Sequence, residues 1–290
     1  MLKQGQRLSG KIFDSRVHSQ NVTGKEKWLG YLLGPCGALL LNAVLATAYA
    51  SWMMRLMSEI AGVLGREEDE RRYAFYAERA KEAYQAIRRT PAYTLDTDRQ
   101  AMLVRPLYLE LLDETQKKFA ENRLIEAMEH YRWRVGTGFL STPFILGVLA
   151  KINPEYAYRL LENKEMPGWL FMPKTGATTI WESWEGTEAQ GGIASLDHYS
   201  KGAVLGWVFS EMCGISVAGE NKFRIAPVPG GSFTFAKVEY QSVYGKVSCG
   251  WERSEHGWKY RVCVPANTVA EIILPGGERY LANPGEHVFL

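Results

Sequence analysis

Residues 169–199 read WLFMPKTGATTIWESWEGTEAQGGIASLDHY, and this stretch separates two kinds of sequence. It shows neither a helical nor a two-residue period over about 30 residues, and so long a connection inside a compact domain is usually functional or disordered. Trp169, Phe171, Trp181 and Trp184 within it argue against disorder. Upstream, apolar residues recur at three- and four-residue steps. Downstream, after one more helical segment, they alternate.

The helical period begins near Leu39. Leu41, Leu45, Ala48, Tyr49, Trp52, Leu56, Ile60 and Val63 mark one predicted buried face, the spacing expected of an amphipathic helix. Gly65 ends it, because glycine accepts the left-handed conformation of a helix terminus. Arg66 to Asp69 opens a second helix with acidic residues in its first turn, where the dipole favours them. Its predicted buried face is Tyr73, Tyr76, Ala80, Ala83, Tyr84 and Ile87. Further helices are predicted over about 98–112 and 115–131, and from Thr142-Pro143 and Asn153-Pro154. Each of the last two pairs a capping residue with proline at the first helical position. A seventh helix is predicted over about 195–213, with Ala203, Trp207 and Met212 inward. Residues 1–35, punctuated by Gly5, Gly10, Gly24, Gly30 and Gly34, read as loop or extended chain. Helix pairs joined by short loops are the unit of bundles and toroids.

After Gly214 the text alternates: Phe223/Ile225, Phe233/Phe235, Val238/Tyr240, Tyr244 with Val247, Tyr260/Val262/Val264 and Ile272/Leu274. Turn signals lie between them at Pro229-Gly230-Gly231, Glu255-His256-Gly257, Pro275-Gly276-Gly277 and Asn283-Pro284-Gly285. Short strands at this spacing predict an antiparallel β-sandwich. The expected organisation is therefore a helical domain over 1–217 and a β domain over 218–290.

Bulk composition excludes several functions. The 290 residues hold 34 basic and 32 acidic side chains, a net charge of +2, so no strong field draws the chain to nucleic acid or anionic lipid. The run from Ala38 to Ala50 is too short to span a bilayer. Cys36, Cys213, Cys249 and Cys263 are widely spaced without a CxxC pair, which argues against zinc, and no metal or cofactor is expected. No secretory signal is visible behind Met1, so a reduced, cytoplasmic protein is expected. Nine tryptophans and fifteen tyrosines are a rich supply of rings. They can fill a core, or stack on the apolar C–H faces of sugars.

Glycoside hydrolysis needs one carboxylate to activate water or attack the anomeric carbon, and one carboxylic acid to protonate the leaving oxygen. Glu182, between Trp181 and Trp184, suits the first task as a part-desolvated carboxylate among rings. It also reads as a surface glutamate beside core tryptophans, and Glu185 and Glu188 compete with it. His198 can bond a substrate hydroxyl or serve the start of a helix.

A resemblance narrows these choices. Gly176 to Gly186, GATTIWESWEG, is similar to the GATTIWERWDG signature of glycoside hydrolase family 78, the α-L-rhamnosidases. Ser195-Leu196-Asp197-His198-Tyr199 resembles the family's SLNHYA, with Asp197 in place of Asn. Thr137 to Pro143 resembles TGFLGTPYLL, and Arg224-Ile225-Ala226-Pro227 resembles the opening of the family's C-terminal β domain. Order and spacing agree from about Trp28 to the end. The resemblance implies part of an (α/α)6 toroid followed by a β-sandwich, and inverting hydrolysis of terminal α-L-rhamnose. It implies Glu182 as the general base, and His198, Trp169, Trp181, Trp184 and Tyr199 as sugar-contacting residues.

Besides Asp197, the chain departs from the family in a larger respect. The family's general acid lies in an upstream segment resembling DERxGWxGD, and the nearest text here, Asp14-Ser15-Arg16, lacks its glutamate and the glycine–tryptophan continuation. A partial ring would also expose apolar helix faces. The expected partners are thus a rhamnose-containing glycoside and either further copies of this chain or a second chain completing the toroid. The competing readings are a non-catalytic or vestigial carbohydrate-binding protein, and an assembly subunit.

Overall fold

The computed structural model describes residues 24–89, 94–192, 194–255 and 257–290. Helices come first and strands after, as the sequence predicts. Asp14-Ser15-Arg16 lies outside the described residues, as does His256 of one predicted turn. The described chain divides into two compact units, one ending at Gly136 and the other beginning at Thr137.

The first unit is built on helices α1 (Gly24–Val63), α2 (Glu67–Arg88), α3 (Gln100–Tyr108) and α4 (Glu114–His130). The helix from Gly24 corrects the loop reading of residues 24–35. Gly30 and Gly34 each cost about 1 kcal/mol relative to alanine, a penalty a long helix can absorb. The end at Gly65 is as predicted: φ is +67°, and the Arg66 and Gly65 amides bond the carbonyls of Ala61 and Gly62, the two bonds of a Schellman cap.

The inward faces differ from expectation. Ser51 donates to Ala77 carbonyl and Ser58 to Glu70 carbonyl, both at 2.9 Å, fixing an antiparallel α1–α2 pair. The contact runs through small residues, with Ala48, Ser51 and Ala61 buried. Leu56, Ile60, Val63 and Tyr76, read as buried, are exposed instead, because small side chains let the backbones approach and turn the larger apolar ones outward. α3 stops at Tyr108, shortly after Pro106 inside it and before Glu110 in the left-handed region. Asp113 caps α4 through a reciprocal bond pair with Gln116.

The second unit opens with Thr142–Phe144 as a 3-10 turn running into α5 (Ile145–Ile152), then α6 (Pro154–Leu161), with Asn153 Oδ1 capping the Glu155 amide at 3.0 Å. Thr142 is not the cap expected. Its hydroxyl turns back to the carbonyls of Thr137 and Gly138. Two short helical turns interrupt the central stretch, α7 (Phe171–Lys174) and a 3-10 turn at Gly186–Gly191. The seventh predicted helix is broken into α8 (Tyr199–Gly202), α9 (Val204–Trp207) and a π turn at Val208–Met212. It starts at Tyr199 rather than 195, because residues 195–198 pair with 180–182.

Eight strands form two four-stranded sheets, ordered β1-β2-β6-β7 and β3-β4-β5-β8. Their ranges are β1 Ile215–Gly219, β2 Lys222–Ile225, β3 Phe235–Ser242, β4 Gly245–Ser254, β5 Gly257–Val264, β6 Val269–Ile273, β7 Arg279–Ala282 and β8 Gly285–Phe289. Pairing is antiparallel except between β2 and β6, which run parallel. Phe223, Ile225, Ala270 and Ile272 are buried in the first sheet, and Val247, Cys249, Trp251 and Val262 in the second. Tyr158 of α6 is a keystone of this unit: its ring meets Trp207 and Phe233, and its hydroxyl donates to the Val228 carbonyl.

Candidate active site

Two sequence motifs meet edge to edge in the second unit. The Glu182 amide donates to the Ser195 carbonyl at 2.9 Å, and the His198 amide donates to the Ile180 carbonyl at 2.8 Å. Thr179 adds a hydroxyl bond to the Leu196 carbonyl. Backbone groups of the two segments satisfy one another, as buried or part-buried peptides must. Irregular chain is thereby held as firmly as a short ribbon.

The same pairing fixes the Glu182 side chain. Its Oε2 accepts from the Ser195 amide at 2.8 Å, so Glu182 and Ser195 are joined at two points. The residue is half-buried. Among the described residues Oε1 carries no hydrogen bond. One oxygen is therefore fixed while the other is left to take a proton, an arrangement that suits a base.

His198 sits beside it. Its Nδ1 accepts from the Ser200 amide at 3.2 Å, capping α8. An accepting Nδ1 puts the proton of the neutral ring on Nε2, which can donate. The imidazole is stacked between two rings, Phe139 at 4.7 Å and Tyr199 at 5.2 Å. Ser200 donates to the Phe139 carbonyl at 3.2 Å, locking that arrangement. Tyr199 is 76% exposed.

The tryptophans take different positions. Trp181 lies against Gly186, where a Cβ would fall 2.6 Å from its ring, and its amide points at the Met172 sulfur at 3.5 Å. Trp184 is half-buried and meets Trp169 edge to face at 6.1 Å. Trp169 is 4% exposed and donates its indole N–H to the Lys201 carbonyl at 3.0 Å. Trp169 therefore backs Trp184, while Trp181, Trp184 and Tyr199 remain accessible.

Glu185 accepts a bond from the Ser183 hydroxyl and stays exposed, as does Glu188. Sequence reasoning missed Lys201. Its ammonium donates to the Glu182 carbonyl and lies 4.4 Å from the centroid of the Trp184 ring. Phe139 was quoted only as part of a motif, with no place at the site.

Two family models together match most of the chain. The bacterial α-L-rhamnosidase 6 hairpin glycosidase domain matches residues 28–212, and the bacterial α-L-rhamnosidase C-terminal domain matches residues 216–289. The chain belongs to the bacterial α-L-rhamnosidase family. An α-L-rhamnosidase of Streptomyces avermitilis is 33% identical over 286 residues, 90% of this chain and 28% of its own length. The solved Streptomyces avermitilis α-L-rhamnosidase, complexed with L-rhamnose, superposes with a TM-score of 0.77 at 29% identity, covering 85% of this chain and 26% of that one. Native α-L-rhamnosidase from Aspergillus terreus gives 0.75 at 28% identity, over 83% and 29%. This rhamnosidase-family chain thus spans less than a third of those proteins. Its helices and sandwich correspond to the toroid and β-sandwich expected from the motifs.

Proposed function

We propose that this chain carries the base half of an inverting α-L-rhamnosidase centre. Glu182 takes a proton from water as that water attacks the anomeric carbon of a terminal α-L-rhamnose. The observation that supports this most is the two-point Glu182–Ser195 pairing, which fixes one carboxylate oxygen and leaves the other unbonded among the described residues. His198, through Nε2–H, donates to a sugar hydroxyl. Trp181, Trp184 and Tyr199 offer ring faces to the apolar side of the sugar, with Trp169 holding Trp184 in place. The catalytic helices extend to about residue 217, and the β domain occupies 218–290. A reducing, cytoplasmic setting suits the free thiols of Cys213, Cys249 and Cys263.

Inversion needs a second carboxyl group about 6.5–9.5 Å from the first. In this reading it comes from the rest of the ring. The exposed Met53, Ile60, Val63 and Phe75 of α1 and α2 are apolar surface that the rest of the ring would cover.

The test is hydrolysis of 4-nitrophenyl α-L-rhamnoside, whose leaving group needs little protonation, by wild type and Glu182→Gln. Loss of a general base lowers turnover by about 10²–10⁴-fold, and NMR should show β-L-rhamnose as the first product. Equal rates in the two proteins would overturn the reading. Calorimetric binding of L-rhamnose without turnover would favour a carbohydrate-binding role instead.

A further inference from the structure

Lys201 is the most heavily used side chain behind the Trp181–Trp184 turn. It is 4% exposed although its ammonium is a full charge. Burying an ammonium costs several kcal/mol unless the surroundings compensate. Here the compensation is the Glu182 carbonyl, which accepts its hydrogen bond, and the Trp184 ring face at 4.4 Å. Two carboxylates, Glu185 and Glu182, add Coulombic attraction. The carbonyl of the same residue holds the Trp169 indole at 3.0 Å, and Trp169 in turn abuts Trp184. His198, the other titratable group of this turn, caps α8 three residues earlier. One residue thus grips the base's own peptide, the ring beside it and the ring behind that.

We propose that Lys201 is a positioning residue for the base: its charged ammonium locks the Trp181–Trp184 turn and sets the electrostatic field at Glu182. The inference rests on Glu182 being that base. A surface lysine would be free in solvent, and a space-filling one would need no charge. Only a positioning role requires the positive charge itself.

The ammonium's environment gives the role a pH signature. Burial pushes Lys201 down from 10.5 to about 8, against the pull of Glu185 and Glu182. Above that value the neutral amine loses its attraction to the indole face and to both carboxylates, so order at Glu182 and turnover should fall. Fold stability moves the other way. Between the lowered folded value and the ordinary unfolded one, the unfolded chain binds more protons, so stability rises with pH. Falling activity with rising stability separates this effect from alkaline unfolding.

The experiment compares wild type, Lys201→Met and Lys201→Arg on 4-nitrophenyl α-L-rhamnoside from pH 6 to 10, with melting curves for each. Lys201→Met should lower kcat at pH 7 by about tenfold or more, as misplaced catalytic groups do, with KM changed by less than about threefold. Its alkaline fall near pH 8 should vanish. Lys201→Arg, which stays charged, should recover most of kcat and stay flat through pH 9. A wild-type pH profile in Lys201→Met, or Arg no better than Met with both folded, overturns the proposal. A second readout needs no turnover: the carbon-13 resonance of the Glu182 carboxyl, assigned with Glu182→Gln. It should shift near pH 8 in wild type and not in Lys201→Met. A Lys201 that titrates at its ordinary value, with no response at Glu182, refutes the role even if the base assignment fails independently.

Discussion

Trp251, in the middle of β4, donates its indole N–H to the carbonyl of Met212 at 2.7 Å, joining the sandwich to the last helical turn. Val228 reinforces the seam, its amide reaching the Glu211 and Met212 carbonyls while its own carbonyl accepts from Tyr158. Glu162 adds a bond from the Ser232 amide at 2.6 Å. Within the second unit, sheets and helices therefore form one hydrogen-bonded body. Trp251 is 2% exposed, and Trp251→Phe would leave the Met212 carbonyl with the longer 3.3 Å bond from the Val228 amide. A lost hydrogen bond costs about 0.5–1.5 kcal/mol, and the smaller ring adds the cost of a cavity. Urea unfolding should show that loss, and Trp258→Phe, at a less buried ring packed edge-on at 5.1 Å, should lose less.

Gly214 turns the chain from helix into β1. Its φ is +74°, and a Cβ there would sit 2.1 Å from the Ala226 carbonyl carbon, which is backbone and has nowhere to go. Gly65 shares the left-handed conformation at +67° but faces open space. Gly65→Ala should therefore cost only the conformational strain, about 1–2 kcal/mol. Gly214→Ala adds a backbone clash and should cost more than about 4 kcal/mol, in the range reserved for severe defects. Thermal melting of both variants checks the order. Equal losses would mean that the close approach at Gly214 is unimportant.

Much of this architecture was legible in the sequence, and the failures have physical causes. The Gly65 terminus and the Asn153 cap were readable because caps depend on local chemistry. The inner face of α1 was not, because the helices meet through Ala48, Ser51 and Ala61 while Leu56, Ile60 and Val63 keep the stronger periodic signal on the outside. Strands β1, β7 and β8 escaped notice. All three are sheet edges with mostly exposed residues, and β1 and β7 show no alternation of burial to read. The Glu182 and His198 motifs were identifiable as text, but their backbone pairing was not, since it joins residues 13 apart in irregular chain. Lys201 carries no signal in the sequence, and only the folded chain shows it buried.

The first unit carries an acid-sensitive clasp. Asp98 accepts bonds from Arg123 Nη2 at 2.9 Å and from His130 Nδ1–H at 3.0 Å, and Arg123 also reaches Asp96 at 2.9 Å. Burial pushes the Asp98 carboxyl up, but the His130 and Arg123 hydrogen bonds and charges outweigh it, leaving the group below its ordinary value. A carboxyl that holds its proton more weakly when folded stabilises the fold above the unfolded value, about 3.9. That contribution disappears as pH falls through the lower, folded value. Asp98→Asn should cost about 1–3 kcal/mol at pH 7. The gap from wild type should narrow as pH falls below about 4, through the lowered folded value. A gap constant with pH would remove Asp98 from the account.

Gly186 offers the sharpest test of the site's dependence on a single ring. Its φ is +60°, and an added Cβ would lie 2.6 Å from the Trp181 ring. In Gly186→Ala the indole must therefore move, since the backbone is also strained at that angle. Trp181 adjoins Glu182 in sequence and its amide is aimed at Met172, so displacing the ring disturbs the turn that holds the base. A shift of about 1 Å in a catalytic group is enough to lower turnover about 10²-fold. Gly186→Ala should show that loss on 4-nitrophenyl α-L-rhamnoside while its melting temperature falls by only a few degrees, about 1–2 kcal/mol of left-handed strain. Gly176→Ala is the control: its φ is +87°, yet its Cβ would meet nothing within 4 Å. It should melt like Gly186→Ala and turn over substrate like wild type. If both variants keep full activity, the Trp181 ring has no part in orienting Glu182.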